Sequence, residues 1–446
     1  MYTGTQCKKK HGCVVSVYWG KVNMGKSSKG FAPFVMIKNR FAMVDRKYYQ
    51  YTGLELAFWF AAATQSYTTV YLQLLGMSPQ QVGIISALNS AISIISTPFW
   101  GTMSDRMQSV KKVFLFVVSV SILLVPLIPI TGEQRILGIA LPYIIIPLVS
   151  FFRNPAGALV DTWVVQASNR QGLNYGSIRL WGSISFAVMA FVLSALLRMI
   201  DVRYSFFIYS GTSLIILVVA CFIKEDGTKQ RALKFRELHI GRLFKDYYYV
   251  AYLIFAITLN MPMQTSYTFM PYLIQSVGAD ATMLGTIQGI KALIEVPFLF
   301  FIARLRTKYK IQHIIMAAGC LYVTEAFLLS LSYSIGYILI ISALQGMAQG
   351  LFIGTGTNYV YRLAPDSLKA TAQTFNGAMN SIAGIVGNLL GGVLITAVGV
   401  KTFYAYAGIM MAVSLLFFMS SFQIGTKLLK KPLPPAARHP REIEST

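Results

Sequence analysis

The chain has 446 residues, 55% hydrophobic and only 12% charged, with a formal charge of +23. Soluble domains carry about a quarter charged residues, so this composition argues against a soluble fold, although the length would suit two or three such domains. The basic excess does not mark a nucleic-acid binder either, because no basic amphipathic patch or zinc pattern accompanies it.

Residues 1–47 form a polar, Lys-rich N-terminal arm without the pattern of a cleavable signal. Met24, Met36 and Met43 are alternative starts. Cys7, His11 and Cys13 lie close together there, but a plain basic tail explains them better than a metal site. With Cys221 and Cys320 they imply no disulfide framework.

Apolar stretches then recur from Tyr51 to Gln423. Each is about twenty residues long, enough to cross ~30 Å of hydrocarbon. The pattern predicts twelve spans: 51–74, 82–102, 111–131, 136–160, 175–197, 203–223, 248–275, 282–302, 312–333, 336–360, 370–396 and 401–423. Only Arg135, Arg198, Arg203 and Lys401 fall in the odd-numbered connections, and Arg153, Arg179 and Lys291 fall within or at the edge of spans. The remaining Lys and Arg lie in the arm, the even-numbered connections and the tail. Positive charge collects on the cytoplasmic side of a membrane. Both termini are therefore predicted to be cytoplasmic, in a multi-pass protein of the cytoplasmic membrane.

The second connection reads Gly101, Asp105-Arg106 and Lys111-Lys112. This resembles the cytoplasmic loop signature of the major facilitator superfamily. The resemblance implies a latch: Gly101 permits close approach, and Asp105 pairs with a basic group or helix N-terminus of the neighbouring bundle. Gln108 stands where the family usually has a second glycine. The corresponding loop of the second half, Arg304 to Lys310, keeps the basic residues and lacks the Asp. A generic positive loop is the alternative, and the twelve spans with their central split favour the latch.

Asp161-Thr-Trp163 and the run from Asn174 to Ser183 are similar to the fourth and fifth helices of the lactose-permease-like, oligosaccharide:proton symporter branch. There an acid and an arginine form the sugar-binding pair, and Asp161 and Arg179 match their positions. Phe186 matches an aromatic that stacks on the sugar ring. A guanidinium can fork two hydroxyls, and a carboxylate accepts from others. A charge pair in lipid is expensive and so calls for a reason; a structural ion pair is the alternative. The tenth-helix His and Glu of lactose permease are replaced by Gln345 and Ala348, which leaves proton coupling to another carboxyl or to none.

Glu55, Glu295 and Glu325 lie in spans, where a carboxyl can hold a proton at neutral pH. Glu55 and Glu295 rank first as proton-coupling candidates. Lys291 and Glu295 share one helical face, so a self-contained pair is the plainer reading. Tyr67, Gln264 and Tyr267, in the first and seventh spans, are further candidates for contact with a sugar or nucleoside.

Lys224–Asp246, the longest internal polar segment, divides the chain into six spans and six. Tyr71, Gly76 and Gly83 recur as Tyr272, Gly278 and Gly285, and Pro98-Phe99 recurs as Pro297-Phe298. The near-constant offset indicates duplication, which places a binding site between the halves. Small residues at four-residue spacing (Gly346, Gly350, Gly354; Ala383, Gly387, Gly391) suit helix packing or sliding faces.

The expectation is an all-α membrane protein of twelve transmembrane helices in two pseudo-symmetric six-helix bundles. Its predicted parts are the arm 1–47, bundles 48–223 and 248–423, a linker 224–247 and a tail 424–446. No phosphate-cradling loop, serine elbow or zinc spacing is present, so no cofactor, metal or catalytic role is expected. The predicted activity is transport of a small hydroxylated solute by alternating access, with protons as the coupling ion and the protein a monomer. An exporter of the same fold and a non-transporting sensor are the alternatives.

Overall fold

The computed structural model describes residues 31–136, 138–224, 241–365 and 368–432, of which Arg46 onward belong to one compact unit. Cys7, His11, Cys13 and most of the arm, linker and tail lie outside the described residues. The chain is a succession of helices with one two-stranded hairpin. The first span is α1 (Phe31–Ala62), a 3-10 turn (Ala63–Ser66) and α2 (Tyr67–Leu74). α3 (Pro79–Arg106) is the second. α4 (Val110–Leu124) and α5 (Leu127–Thr131) make the third, parted at Pro126. After β1 (Arg135–Ile136) and β2 (Ile139–Ala140), α6 (Pro142–Arg153) and α7 (Pro155–Gln171) make the fourth. α8 (Tyr175–Leu196) and α9 (Tyr204–Phe222) complete the first half. A short α10 (Gly241–Lys245) leads into α11 (Tyr247–Ser276), α12 (Leu284–Lys308), α13 (Ile311–Ser330), α14 (Ile335–Leu363), α15 (Lys369–Val398) and α16 (Val400–Gln423).

Local signals set many of these boundaries. Ser78 caps α3: its Oγ accepts from the Gln81 N–H while the Gln81 side chain accepts from the Ser78 N–H, and Pro79 follows at the first helical position. Gly76 and Gly278 both turn left-handed, at φ +73° and +75°, after the first helix of each half. The repeat seen in the sequence is thus a repeat of backbone geometry.

Among the described residues, ten helices are long and apolar enough to span a membrane. The first and seventh fall outside that set. The first carries Glu55, Gln65 and Gln73, and the seventh carries Asn260, Gln264 and a run of tyrosines. The fourth span needs correcting. It was expected at 136–160, but the hairpin occupies its start and α7 continues to Gln171, where Gly172 ends it at φ +69°. Past Asp161 the helix continues through exposed polar residues (Thr162, Asn169, Arg170) interleaved with buried ones, so the apolar run ends before the helix does.

The two halves meet unevenly. The end of the molecule opposite the basic connections is sealed. Seven hydrogen bonds between described residues join the halves there: Ser66–Tyr267 (3.0 Å), Tyr67 to the Thr282 carbonyl (3.0 Å), Gln73–Gln275, Tyr272 to the Met77 carbonyl (2.9 Å), Ser194 to the Thr282 carbonyl (3.0 Å), Ser194–Thr286 (2.7 Å) and Arg198–Met283. The apolar core of the first half continues across this end into Phe269, Leu273, Leu284, Ile287 and Phe403. A second core, from Leu243 to Phe422, belongs to the second half alone.

Glycine permits the close crossings at the seal. A Cβ on Gly83 would strike the Asn388 carbonyl oxygen, and one on Gly285 would strike the Ala190 carbonyl oxygen and the Tyr67 hydroxyl. These pair α3 with α15 and α12 with α8. The Gly346, Gly350, Gly354 stripe instead packs α14 on α12, and Gly387 and Gly391 pack α15 on α11. Both stripes therefore serve packing within the second half.

In the second connection, Gln108 takes φ +49°, which accounts for a glycine preference at that position. Gln108→Gly is expected to raise stability by up to about 1 kcal/mol. A lower melting temperature in the variant would refute the strain. Gly101 has no atom within 4 Å of an added Cβ, so it is not a close-contact glycine here. Asp105 and Arg106 are exposed at the end of α3. Lys111 binds inside its own bundle: its ammonium donates to the carbonyls of Cys221 (3.1 Å) and Ile223 (2.6 Å), at the C-terminus of α9. Lys112 contributes its N–H to the Ser109 cap of α4 (3.1 Å).

Candidate functional site

A cavity of about 360 Å³ lies between the halves near mid-span. Its first wall comes from α1 and α8. The Arg179 guanidinium lies over the Trp59 ring, 4.0 Å from the ring centre. Its Nε is 3.9 Å from Asp161 Oδ1, and Nη1 donates to Ser183 Oγ at 3.4 Å. The Tyr175 hydroxyl donates to Asp161 Oδ1 (3.1 Å), and Trp59 Nε1 donates to Glu55 Oε2 (2.8 Å). Arg179 is thus held by stacking and by one long ion pair, with donor capacity to spare. Gly182 makes the stack possible: a Cβ there would sit 2.6 Å from Trp59 Cδ1 and 3.1 Å from Arg179 Nη1. Gly182→Ala is expected to cost about 1–3 kcal/mol of stability and to shift tryptophan emission as Trp59 leaves the guanidinium. Unchanged melting and emission would refute this account.

The second wall comes from α11, α12 and α14, and presents Met263, Gln264, Tyr267, Gln288, Lys291, Glu295, Gln345 and Gln349. Gln288, Lys291 and Gln345 are all more than nine-tenths buried, yet Gln288 Nε2, Lys291 Nζ and Gln345 Oε1 have no hydrogen-bond partner. Buried polar groups are nearly always paired, so this wall holds unmet bonding capacity in residues that line the cavity. Gln349 accepts from the buried Tyr322 hydroxyl (2.5 Å), which orients its amide.

The MFS_1-like family profile matches residues 53–406. The chain belongs to that family, within the major facilitator superfamily. An uncharacterized transporter of Bacillus subtilis, YwbF, is 26% identical over 341 residues, covering 75% of this chain and 82% of its own. A maltose permease of Geobacillus stearothermophilus is 24% identical over 358 residues, covering 79% and 88%. The crystal structure of a mutant of the nucleoside transporter NupG superposes with a TM-score of 0.73 at 17% identity, covering 85% of this chain and all (100%) of that one. The superposition shows a shared fold.

Of the residues singled out in the sequence of this transporter, Arg179, Phe186, Gln264, Tyr267 and Glu295 line the cavity together. Asp161 stands behind Arg179 with 40% of its side chain exposed. Glu55 is fully buried behind Trp59, and its Oε1 has no partner. Tyr67 lies apart from the cavity, fully buried in the seal and bonded to Thr282. Lys291 and Glu295 share a helical face, but the Lys291 ammonium has no hydrogen-bond partner among the described residues. Sequence reasoning missed Trp59, Gln288, Gln345 and Gln349 as a lining set. The signal that could have found them was a recurrence of glutamines in apolar spans.

Proposed function

We propose that this transporter carries a small hydroxylated solute, a sugar, oligosaccharide or nucleoside-like molecule, across the cytoplasmic membrane by alternating access in symport with protons. The observation that carries the reading is the cavity itself. Its 360 Å³ lies within the roughly 300–1,000 Å³ typical of small-molecule sites. It offers amides, a guanidinium and aromatic faces, which suit a ring that bears many hydroxyls. The names of the maltose permease and nucleoside transporter relatives accord with such a cargo.

Both termini and the basic connections face the cytoplasm by the charge rule. The sealed end then faces outward. Glu55 and Glu295 flank Trp59 and Arg179 and are the proposed proton carriers. The protein works as a monomer, and closure at the basic end involves the Asp105 connection.

Uptake of maltose, glucose and uridine into vesicles under an imposed proton gradient tests this. Uptake driven by the gradient and abolished by an uncoupler is expected. Undiminished uptake after uncoupling would refute symport, and no uptake or counterflow of any of them would refute the cargo class.

A further inference from the structure

The second wall holds a cation that nothing in the cavity claims. Lys291 is 8% exposed, and its ammonium makes no hydrogen bond. One turn away on α12, the Gln288 amide nitrogen is also unpaired. Two unpaired donors one turn apart thus belong to residues that line the same cavity. Glu295, one turn along in the other direction, lines the cavity without bonding to Lys291. The charge that does act on Lys291 is Glu325 of α13. That residue lies in a separate small void, and Gln345 stands between this void and the main cavity, lining both. An ammonium out of water needs an opposite charge nearby. Glu325 supplies such a charge from outside the main cavity, and a neutral sugar, with a hydrogen on every hydroxyl oxygen, adds none from within it. A carboxylate brings only acceptors.

We propose that the cargo is an acidic hydroxylated solute, its carboxylate seated on Lys291 and Gln288 and its hydroxyls reaching Arg179 and Ser183 across the cavity. This rests on the carrier reading above and narrows it. The ring spans the two walls, so the acid end is read by the second half and the polyol end by the first. Cargo then bridges elements that part when the molecule opens, which is how a ligand biases a two-state carrier.

The test compares matched probes on the purified full chain: glucose with glucuronate, galactose with galacturonate, and maltose with maltobionate. Each acid is expected to bind at least about tenfold more tightly than its neutral partner. Lys291→Gln should bring that ratio close to one. If Lys291 serves only to balance Glu325, the single variant would be destabilised, Lys291→Gln with Glu325→Gln would recover, and acid preference would persist in the double variant; that pattern overturns the proposal. Equal binding of acid and neutral sugar by the wild type overturns it too, while leaving the sugar-carrier reading intact. Failure of every probe to bind would overturn both.

Discussion

Replacing Gly285 by leucine is expected to force the sealed end apart. Any side chain there meets the Ala190 carbonyl and the Tyr67 hydroxyl, with Ser194 Cβ 3.0 Å away. Two of those three atoms are on α8, a rigid helix that cannot give locally. Overpacking of this kind costs about 1–3 kcal/mol. The cost applies only when the halves are in contact, so it becomes a bias toward the conformation in which they part. That energy corresponds to a roughly 5–150-fold shift in the equilibrium. Gly83→Leu should act the same way through Asn388 and the Gly392 Cα at 3.3 Å. Accessibility reads the effect: with the four native cysteines replaced, Gln73→Cys should react faster with a membrane-impermeant thiol reagent in either variant. Equal rates in parent and variants would show that the glycine crossings do not control opening. The two sites stand at equivalent places in the two repeats, so the two variants should resemble each other more than either resembles Gly346→Leu, which crowds α12 and α14 within one half.

Arg179→Ala is expected to abolish the stabilisation that cargo confers. The guanidinium contributes the stack on Trp59, the 3.9 Å contact with Asp161 and the bond to Ser183. Its removal leaves Asp161 without a cation and Trp59 without its cover. Truncating one partner of a hydrogen-bonded charge pair at a binding site costs about 2–5 kcal/mol. At 1.4 kcal/mol per decade, affinity falls from roughly 30-fold to several thousandfold. Arg179→Lys should recover little, because an ammonium neither forks two acceptors nor stacks flat on an indole. Thermal-shift titration of wild type and both variants measures this. A ligand that stabilises Arg179→Ala as well as the wild type would remove Arg179 from the site.

Much of the architecture was legible in the sequence because lipid imposes a strong and simple pattern. Span length, alternation of basic connections and the repeated glycines identified two bundles, and Gly76, Gly278, Gly83 and Gly285 all carry structural roles. The fourth span was misplaced because α7 continues past Asp161 through polar residues such as Gln166, Ser168, Asn169 and Arg170, which hydropathy reads as the end of a helix. The site was legible where charges announced it. Arg179 with Asp161 was visible for that reason, and a search for acids and bases also reached Glu295. Gln288, Gln345 and Gln349 escaped it, since neutral amides carry no such flag. Helical periodicity tells which residues share a face of one helix, but not which face meets the opposite bundle. For that reason Tyr67 read as a cavity residue and lies in the seal, and Lys291 read as the partner of Glu295 and is acted on by Glu325 of α13 instead.

Gln73 and Gln275 occupy the same place in the two repeats and bond to each other. The pseudo-twofold axis therefore passes between two copies of one residue, as at the centre of a symmetric dimer. Such a clasp is uncharged, so neither salt nor acid loosens it, and its solvent-facing amides find water as soon as they separate. Breaking it costs about 1 kcal/mol. A lock of that kind fixes alignment without adding a barrier, so the speed of turnover falls to the packed helices beneath it.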